Sequence, residues 1–127
     1  MPDGSLALVI ILDQFPRNMY RGTPRAFASD AKALNVAKEA VKKKFDQDLL
    51  PMQRMFLYLP YEHSENIEDQ KHSVKLFGSL GDKLTLKYAV EHRDVIVQFG
   101  RFPHRNAILG RESTPEEIRF LEEKAVP

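Results

Sequence analysis

Six arginines fall in two short stretches of this chain: Arg17, Arg21 and Arg25 in residues 16–25, and Arg101, Arg105 and Arg111 in residues 100–111. The chain has nine arginines and ten lysines, yet neither stretch holds a lysine. Random placement of nine arginines in 127 residues would put fewer than two there. Solvated decoration would use either residue. Arginine alone offers a planar, permanently charged fork that matches a carboxylate or a phosphate. Either the forks face an anionic ligand, or they hold the loops by binding internal carboxylates and helix carbonyls. Structural ion-pair networks resemble sites in this way.

Carboxylates and imidazoles supply the other half of the chemistry. Asp13, Glu62, Glu65, Glu91 and Asp94 are the candidate acids. Asp13 lies one turn before the first arginine stretch, and Glu65 suits local capping. Glu62 and His63 have no capping task. They follow the proline-broken aromatic run Phe56-Leu57-Tyr58-Leu59-Pro60-Tyr61, and an acid beside a histidine suits proton transfer. His92 shares a stripe with Tyr88, Val95 and Phe99, where a histidine is more often a hydrogen-bonded core residue than a ligand. Gln70 and Ser73 face inward on the preceding helix. They point to a shared polar pocket or to a buried network that fixes helix register. Asn18 and Asn106 would add neutral hydrogen bonds to the arginine loops, and His104 completes the ligand-binding set. Asp69 and His72, with Glu65 a turn earlier, have metal-ligand spacing. No second pair matches them and Lys71 and Lys75 are close by, so no metal is expected. Nor does the chain contain a Gly-x-Gly-x-x-Gly run, a P-loop or a Gly-x-Ser-x-Gly elbow, and no cofactor is expected.

Helices must position these groups. Residues 6–12 form an apolar run that reads as a helix buried on nearly all sides, ending at Pro16 and a loop over residues 16–28. Asp30 reads as the N-cap of a helix to about Lys44, with Leu34, Ala37, Ala40 and Val41 as its stripe. Pro51 opens a short helix ending near Leu59, before Pro60. Asn66 or Ser64 caps the next, with Ile67, Val74, Phe77 and Leu80 inward and Gly81 as its stop. Asp82 caps a helix that ends at Gly100 and turns Leu84, Tyr88, Val95 and Phe99 inward. Thr114, Pro115 and Glu117 form a capping box with proline at the first position, opening a last helix through Ile118 and Leu121. No segment alternates with period two. The fold class is therefore all-α: about six helices in antiparallel hairpins. Phe15-Pro16-Arg17-Asn18 is echoed by Phe102-Pro103-His104-Arg105-Asn106, which reads as the trace of a duplicated helix-loop unit.

Composition bounds the answer. The chain has 127 residues, a net charge of +1, 43% hydrophobic and 29% charged residues, and no cysteine. This is an ordinary globule, read as one domain over residues 1–127 that buries about two-thirds of its unfolded surface. Disulfides, thiolate metal sites and cysteine nucleophiles are excluded. A charge this close to zero argues against nucleic acid as a partner. The apolar run is far short of the ~20 residues a spanning helix needs and has no basic residue before it. No membrane association is expected, and the expected location is cytoplasmic.

Four motifs carry a resemblance: Leu12-Asp13-Gln14-Phe15-Pro16-Arg17-Asn18; Arg21-Gly22-Thr23-Pro24-Arg25-Ala26-Phe27-Ala28; Leu57-Tyr58-Leu59-Pro60-Tyr61-Glu62-His63-Ser64-Glu65; and Gly100-Arg101-Phe102-Pro103-His104-Arg105-Asn106 with Leu109-Gly110-Arg111. In this order they resemble the bacterial "domain of unknown function 924" family. The resemblance implies an all-α fold similar to tetratricopeptide repeats and implies no function. It also implies a further N-terminal helical region, rich in tryptophan and phenylalanine, that this tryptophan-free chain does not carry. Three functions are open on these grounds. The first is a binding module for an anionic small molecule or peptide end, using Asp13, Arg17, Asn18, Arg21, Glu62, His63, Gln70, His92, Arg101, His104, Arg105, Asn106 and Arg111. The second is an enzyme with Glu62, His63 or His92 as acid or base and Arg101 or Arg105 stabilising developing charge. The third is a scaffold that binds a protein partner through an apolar groove, its arginines consumed internally.

Overall fold

The structure is a computed structural model and describes residues 2–125. It is all-α, with no strand among the described residues. Helix α1 is composite: Pro2–Val9, a wide π turn over Ile10–Gln14, and Phe15–Met19. Then follow α2 (Asp30–Lys42), α3 (Pro51–Glu62), α4 (Ile67–Gly78), α5 (Lys83–Phe99) and α6 (Pro115–Ala125). Short 3-10 turns at Pro24–Phe27, Phe45–Asp48 and Pro103–Arg105 fill the connections. Neighbouring helices from α1 to α5 pack in sequence, and α1 also lies against α3.

Local chemistry explains most boundaries. The Asn66 side chain accepts the Glu68 and Asp69 N–H groups, and Asp82 accepts that of Leu84. Thr114 and Glu117 close their capping box reciprocally at 2.9 and 3.1 Å. Gly100 takes φ of +73° as the C-cap of α5, while α4 ends earlier than expected, at Gly78, and Gly81 takes φ of +75° in the turn beyond it.

Two prolines do not stop helices as expected. A helical proline loses one hydrogen bond and clashes with the carbonyl four residues back. Before Pro16 the helix widens: the Phe15 N–H bonds Ile10, five residues back, instead of Ile11. The chain thus stays helical to Met19. Pro60 sits near the C-terminal end of α3, which runs on to Glu62. Asp30 does not cap α2. Ser29 occupies that position without a side-chain bond, and α2 ends at Lys42 rather than Lys44. The Phe-Pro echo is not a structural repeat either, since Phe15–Met19 is helical and Pro103–Arg105 is a 3-10 turn.

The core joins Val9, Ala37, Ala40, Leu49, Leu57, Tyr58, Tyr61, Phe77 and Ala89. Alanines at 33, 37 and 40 let α2 approach closely. Tyr58 meets the Phe77 ring edge-on at 5.9 Å, and its hydroxyl donates to Asp46 at 2.5 Å. Two expected stripes are displaced. On α5 the buried residues are Ala89 and Ile96, while Leu84 and Tyr88 are half exposed. This helix is apolar on two sides, and the side carrying Ala89 and Ile96 is the one that packs inward. On α1 only Val9 and Asp13 are fully buried, and Leu8, Ile11, Phe15 and Met19 are exposed. No helix among the described residues is long and apolar enough to cross a membrane.

Leu57→Ala should lower the unfolding free energy by about 2–5 kcal/mol, through lost burial and a residual cavity. Met52→Ala, at a side chain 72% exposed, should stay within about 0.5 kcal/mol of the parent. Urea unfolding followed by circular dichroism compares them.

Candidate functional site

Asp13 lies in the π turn and is fully buried. Arg17, one turn on, reaches it at 2.9 Å and also forks onto both oxygens of Asp30 at 2.7 and 2.9 Å. The same Asp13 oxygen lies 2.9 Å from Nδ1 of His63, just past the end of α3, and the Gln14 amide bonds the other oxygen. Burial alone would raise the pKa of Asp13. The His63 hydrogen bond, with the charges of His63 and Arg17, lowers it instead. Glu62 contrasts with it. It is 6% exposed, and its carboxylate makes no hydrogen bond or ion pair among the described residues. Burial raises its pKa, Asp13 adds to the rise, and His92 and His63 counter only part of it.

The second arginine loop folds onto this cluster. The Arg105 guanidinium lies between the rings of Phe27 and Phe102, at 4.4 and 4.8 Å. It donates to the His63 carbonyl at 2.8 Å and stands 3.8 Å from Asp30. Its Nε has no partner, and burial lowers its pKa. Arg111 forks onto Glu65 at 2.9 and 3.1 Å, and also bonds Asn106 and the Phe102 carbonyl. Glu65 further accepts the Phe102 N–H at 2.6 Å. Arg111 and this backbone bond lower the Glu65 pKa against its burial. Arg101 forks onto Glu117 at 2.9 and 2.7 Å and donates to the Glu112 carbonyl. The Arg101 hydrogen bonds and the Thr114 N–H pull Glu117 down to about 2.

The two loops therefore converge, but on each other. Arg17 and Arg105 share Asp30 and the Phe27 ring. Asp13, Arg17, Glu62, His63 and Arg105 come together there. Arg101, Asn106 and Arg111 form a second cluster with Glu65 and Glu117. Asn18 and Arg21 lie exposed, apart from both clusters. Gln70 is fully buried and donates to the Glu62 and Ser64 carbonyls at 2.7 and 2.6 Å, tying α4 to the end of α3. The Asp69 carboxylate is taken by Lys38 and Ser64.

His92 and His104 belong to a different place. With Glu91, Val95, Phe102, Phe120, Leu121 and Lys124 they line an open groove of about 260 Å³ between α5, the Pro103–Arg105 turn and α6. Phe102 forms its floor, 5.6 Å from the His92 ring and 5.8 Å from that of His104. His92 Nδ1 lies 2.7 Å from the Tyr88 carbonyl, which directs its Nε2 elsewhere. Partial burial of the ring, and then the charge of Arg105, lower the His104 pKa.

Sequence reasoning missed Asp30 and Glu117 as arginine partners, having assigned both to capping. It also missed Phe27, Phe120 and Lys124. Aromatic residues inside arginine motifs were the available signal for Phe27 and Phe102.

Comparison with known proteins adds three findings. The family described as "Bacterial protein of unknown function (DUF924)" matches residues 1–125. A solved structure titled "Structure of Protein of Unknown Function ATU0120 from Agrobacterium tumefaciens" is 48% identical with a TM-score of 0.93, over 96% of this chain and 69% of that one. Curated proteins yield no match.

Arg17→Lys should cost about 1–2 kcal/mol of stability, because an ammonium cannot bridge Asp13 and both oxygens of Asp30. Stability should also fall as pH drops from the ordinary carboxylate range toward 2. Glu117 is held down in the folded state only, so its contribution is present above its unfolded pKa and is lost as pH approaches about 2. Arg101→Gln should flatten that slope. Glu62→Gln should act oppositely and raise the unfolding midpoint at pH 7 but not at pH 4, since removing an unpaired buried charge helps only where it is ionised. Denaturant titrations across pH measure all three effects.

Proposed function

This chain belongs to the bacterial family of unknown function DUF924, and from its geometry we propose a helical binding module, TPR-like in its packed helix pairs, that takes a carboxylate bearing an apolar group. One observation carries the reading. The loop arginines Arg17, Arg101, Arg105 and Arg111 are committed to internal partners, whereas His104 and Lys124 flank an apolar groove and have no carboxylate partner among the described residues. Phe102, Val95, Phe120 and Leu121 receive the apolar group. His104 and Lys124 meet the carboxylate, and His92 offers Nε2. Glu91 on the same wall disfavours a second negative charge. A volume of about 260 Å³ suits one side chain and its carboxylate, which is the end of a peptide or a small free acid.

A second reading rests on the Asp13–His63 contact. Asp13 orients the imidazole, Glu62 stands beside it, and Arg105 supplies positive charge in an acid–base site. Arg101 takes no part, being held by Glu117. Fast carbethoxylation of His63 at neutral pH would support an accessible base, and protection would remove this reading.

Calorimetry with a short peptide ending in leucine, its C-terminal amide and 3-phenylpropionate tests the main reading. The amide should bind at least tenfold more weakly than the acid, about 1.4 kcal/mol. Tight peptide with weak phenylpropionate identifies a peptide end, and the reverse identifies a free acid. His104→Ala with Lys124→Ala should abolish the difference between acid and amide. Affinity should rise as pH falls from 7.5 toward 5.5, because a bound carboxylate favours protonated His104, whose pKa is otherwise lowered by burial and by Arg105. Equal affinity for acid and amide would sink the proposal.

A further inference from the structure

Helix α6 is anchored at one end. Glu117, Phe120, Leu121 and Lys124 recur at three- and four-residue spacing and so share one face. Glu117 is 2% exposed, and Phe120 and Leu121 are half-buried. Every other side chain of residues 115–124 is exposed, Lys124 included. The most deeply held group of this helix is thus a carboxylate in its first turn. Glu117 accepts the Arg101 fork at 2.9 and 2.7 Å, the Thr114 N–H at 2.9 Å and the Asn106 amide at 3.3 Å. Arg101 adds the Glu112 carbonyl at 2.6 Å, and Asn106 the Ser113 hydroxyl at 3.1 Å. All of these bonds fall on residues 112–117.

Beyond Glu117 the support changes. No side-chain hydrogen bond or ion pair ties residues 118–124 to other described residues. Phe120 meets the Phe99 ring edge-on at 5.2 Å, and Lys124 Nζ stands 5.7 Å from the Phe120 ring. Beneath Phe120, Leu121 and Lys124 lies the groove of about 260 Å³ in place of a packed core. A helix of 11 residues is shorter than the ~12–15 at which an isolated helix is even marginal in water. Its last two turns therefore depend on what packs beneath them.

We propose that α6 is a hinged wall of this groove, pivoting on the Arg101–Glu117 fork, and that the apolar group of the ligand fixes its last two turns. The inference rests on the carboxylate-binding reading above and adds how that site closes. Lys124 lies about 10 Å along the axis from Glu117, so its grip on the carboxylate rides on the moving end. An apolar group with Val95 and Phe102 on one side and Phe120 and Leu121 on the other gives α6 the buried area that it otherwise lacks. Entry and release need only a swing of this end, because no polar bond holds it. Neither Arg101 nor Glu117 lines the groove. They are positioning residues that set where the far end closes. Arg101 and the Thr114 N–H keep Glu117 charged down to about pH 2, so the pivot stays formed at neutral pH.

Hydrogen exchange read by mass spectrometry, with calorimetry on the same samples, tests the hinge. In the free chain the amides of residues 120–124 should exchange at least tenfold faster than those of residues 89–96 in α5. Saturating 3-phenylpropionate should slow them at least fivefold and leave α5 unchanged. Arg101→Gln should speed exchange in α6 alone and weaken 3-phenylpropionate fivefold or more. Arg101→Lys keeps the charge without the fork and should lie between. If Arg101→Gln fails to fold by circular dichroism, Arg101→Lys carries the comparison. Exchange in α6 as slow as in α5 for the free chain, or unchanged by loss of the fork, would overturn the hinge. So would 3-phenylpropionate that binds and leaves α6 exchange unaltered. Absence of binding would remove the carboxylate reading instead, and the free-chain comparison of parent and variants would still decide the hinge.

Discussion

The buried guanidinium of Arg105 is the interaction around which the two loops are built. It stands over the rings of Phe27 and Phe102, donates to the carbonyl of His63 and faces Asp30. Those partners come from the Pro24–Phe27 turn, the start of α2, the end of α3 and the segment after α5. A buried cation costs several kcal/mol unless its surroundings compensate it. Two aromatic faces, a carbonyl and a shared carboxylate do so here. They can do so only when four distant segments are in register. Lysine has neither the flat faces nor the fork to join them, which gives a physical reason for arginine without lysine in both loops.

That arrangement sorts the acids of the molecule. Asp13, Glu65 and Glu117 each receive at least one arginine bond and are held in the charged form. Glu62 lies within the same cluster but gets none, and its proton is retained more readily. It also sorts the cations. With Arg17, Arg101, Arg105 and Arg111 held by internal partners, the groove beside Phe102 is lined by two imidazoles and Lys124. Phe102 belongs to both sets, with the Arg105 guanidinium over its ring and the rings of His92 and His104 within 6 Å of it. Ligand contact in the groove would therefore bear directly on the arginine stack.

Where a structural rule is local, the sequence could be read correctly. Asn66, Asp82, Thr114 with Glu117, and Gly100 all act at helix ends as their types and positions suggest, whereas the helix expected to stop at Gly81 ends at Gly78 with Ser79 as its cap. Reading failed where a residue answers to a distant one. Asp30 looks like a cap, but its carboxylate is drawn away by Arg17 and Arg105. Pro16 looks like a stop, but a π turn absorbs it while burying Asp13 between Arg17 and His63. On α5 periodicity admits two apolar faces, and only the packing of Ala89 and Ile96 chooses between them. The grouping of the candidate residues into two closed clusters and one separate groove could not be seen from spacing.

The sequence by itself determined an all-α chain, the helix ends set by caps and glycines, and the concentration of planar cations in two loops. Those properties depend on residues within about a turn of one another. Tertiary structure alone decided whether the arginines would face a ligand or each other. It also decided which side of α1 would stay uncovered. Both outcomes depend on pairs such as Arg17–Asp30, Arg105–His63 and Arg111–Glu65, separated by 13, 42 and 46 residues. Contacts at that separation are selected by packing of the whole chain, and no local pattern encodes them.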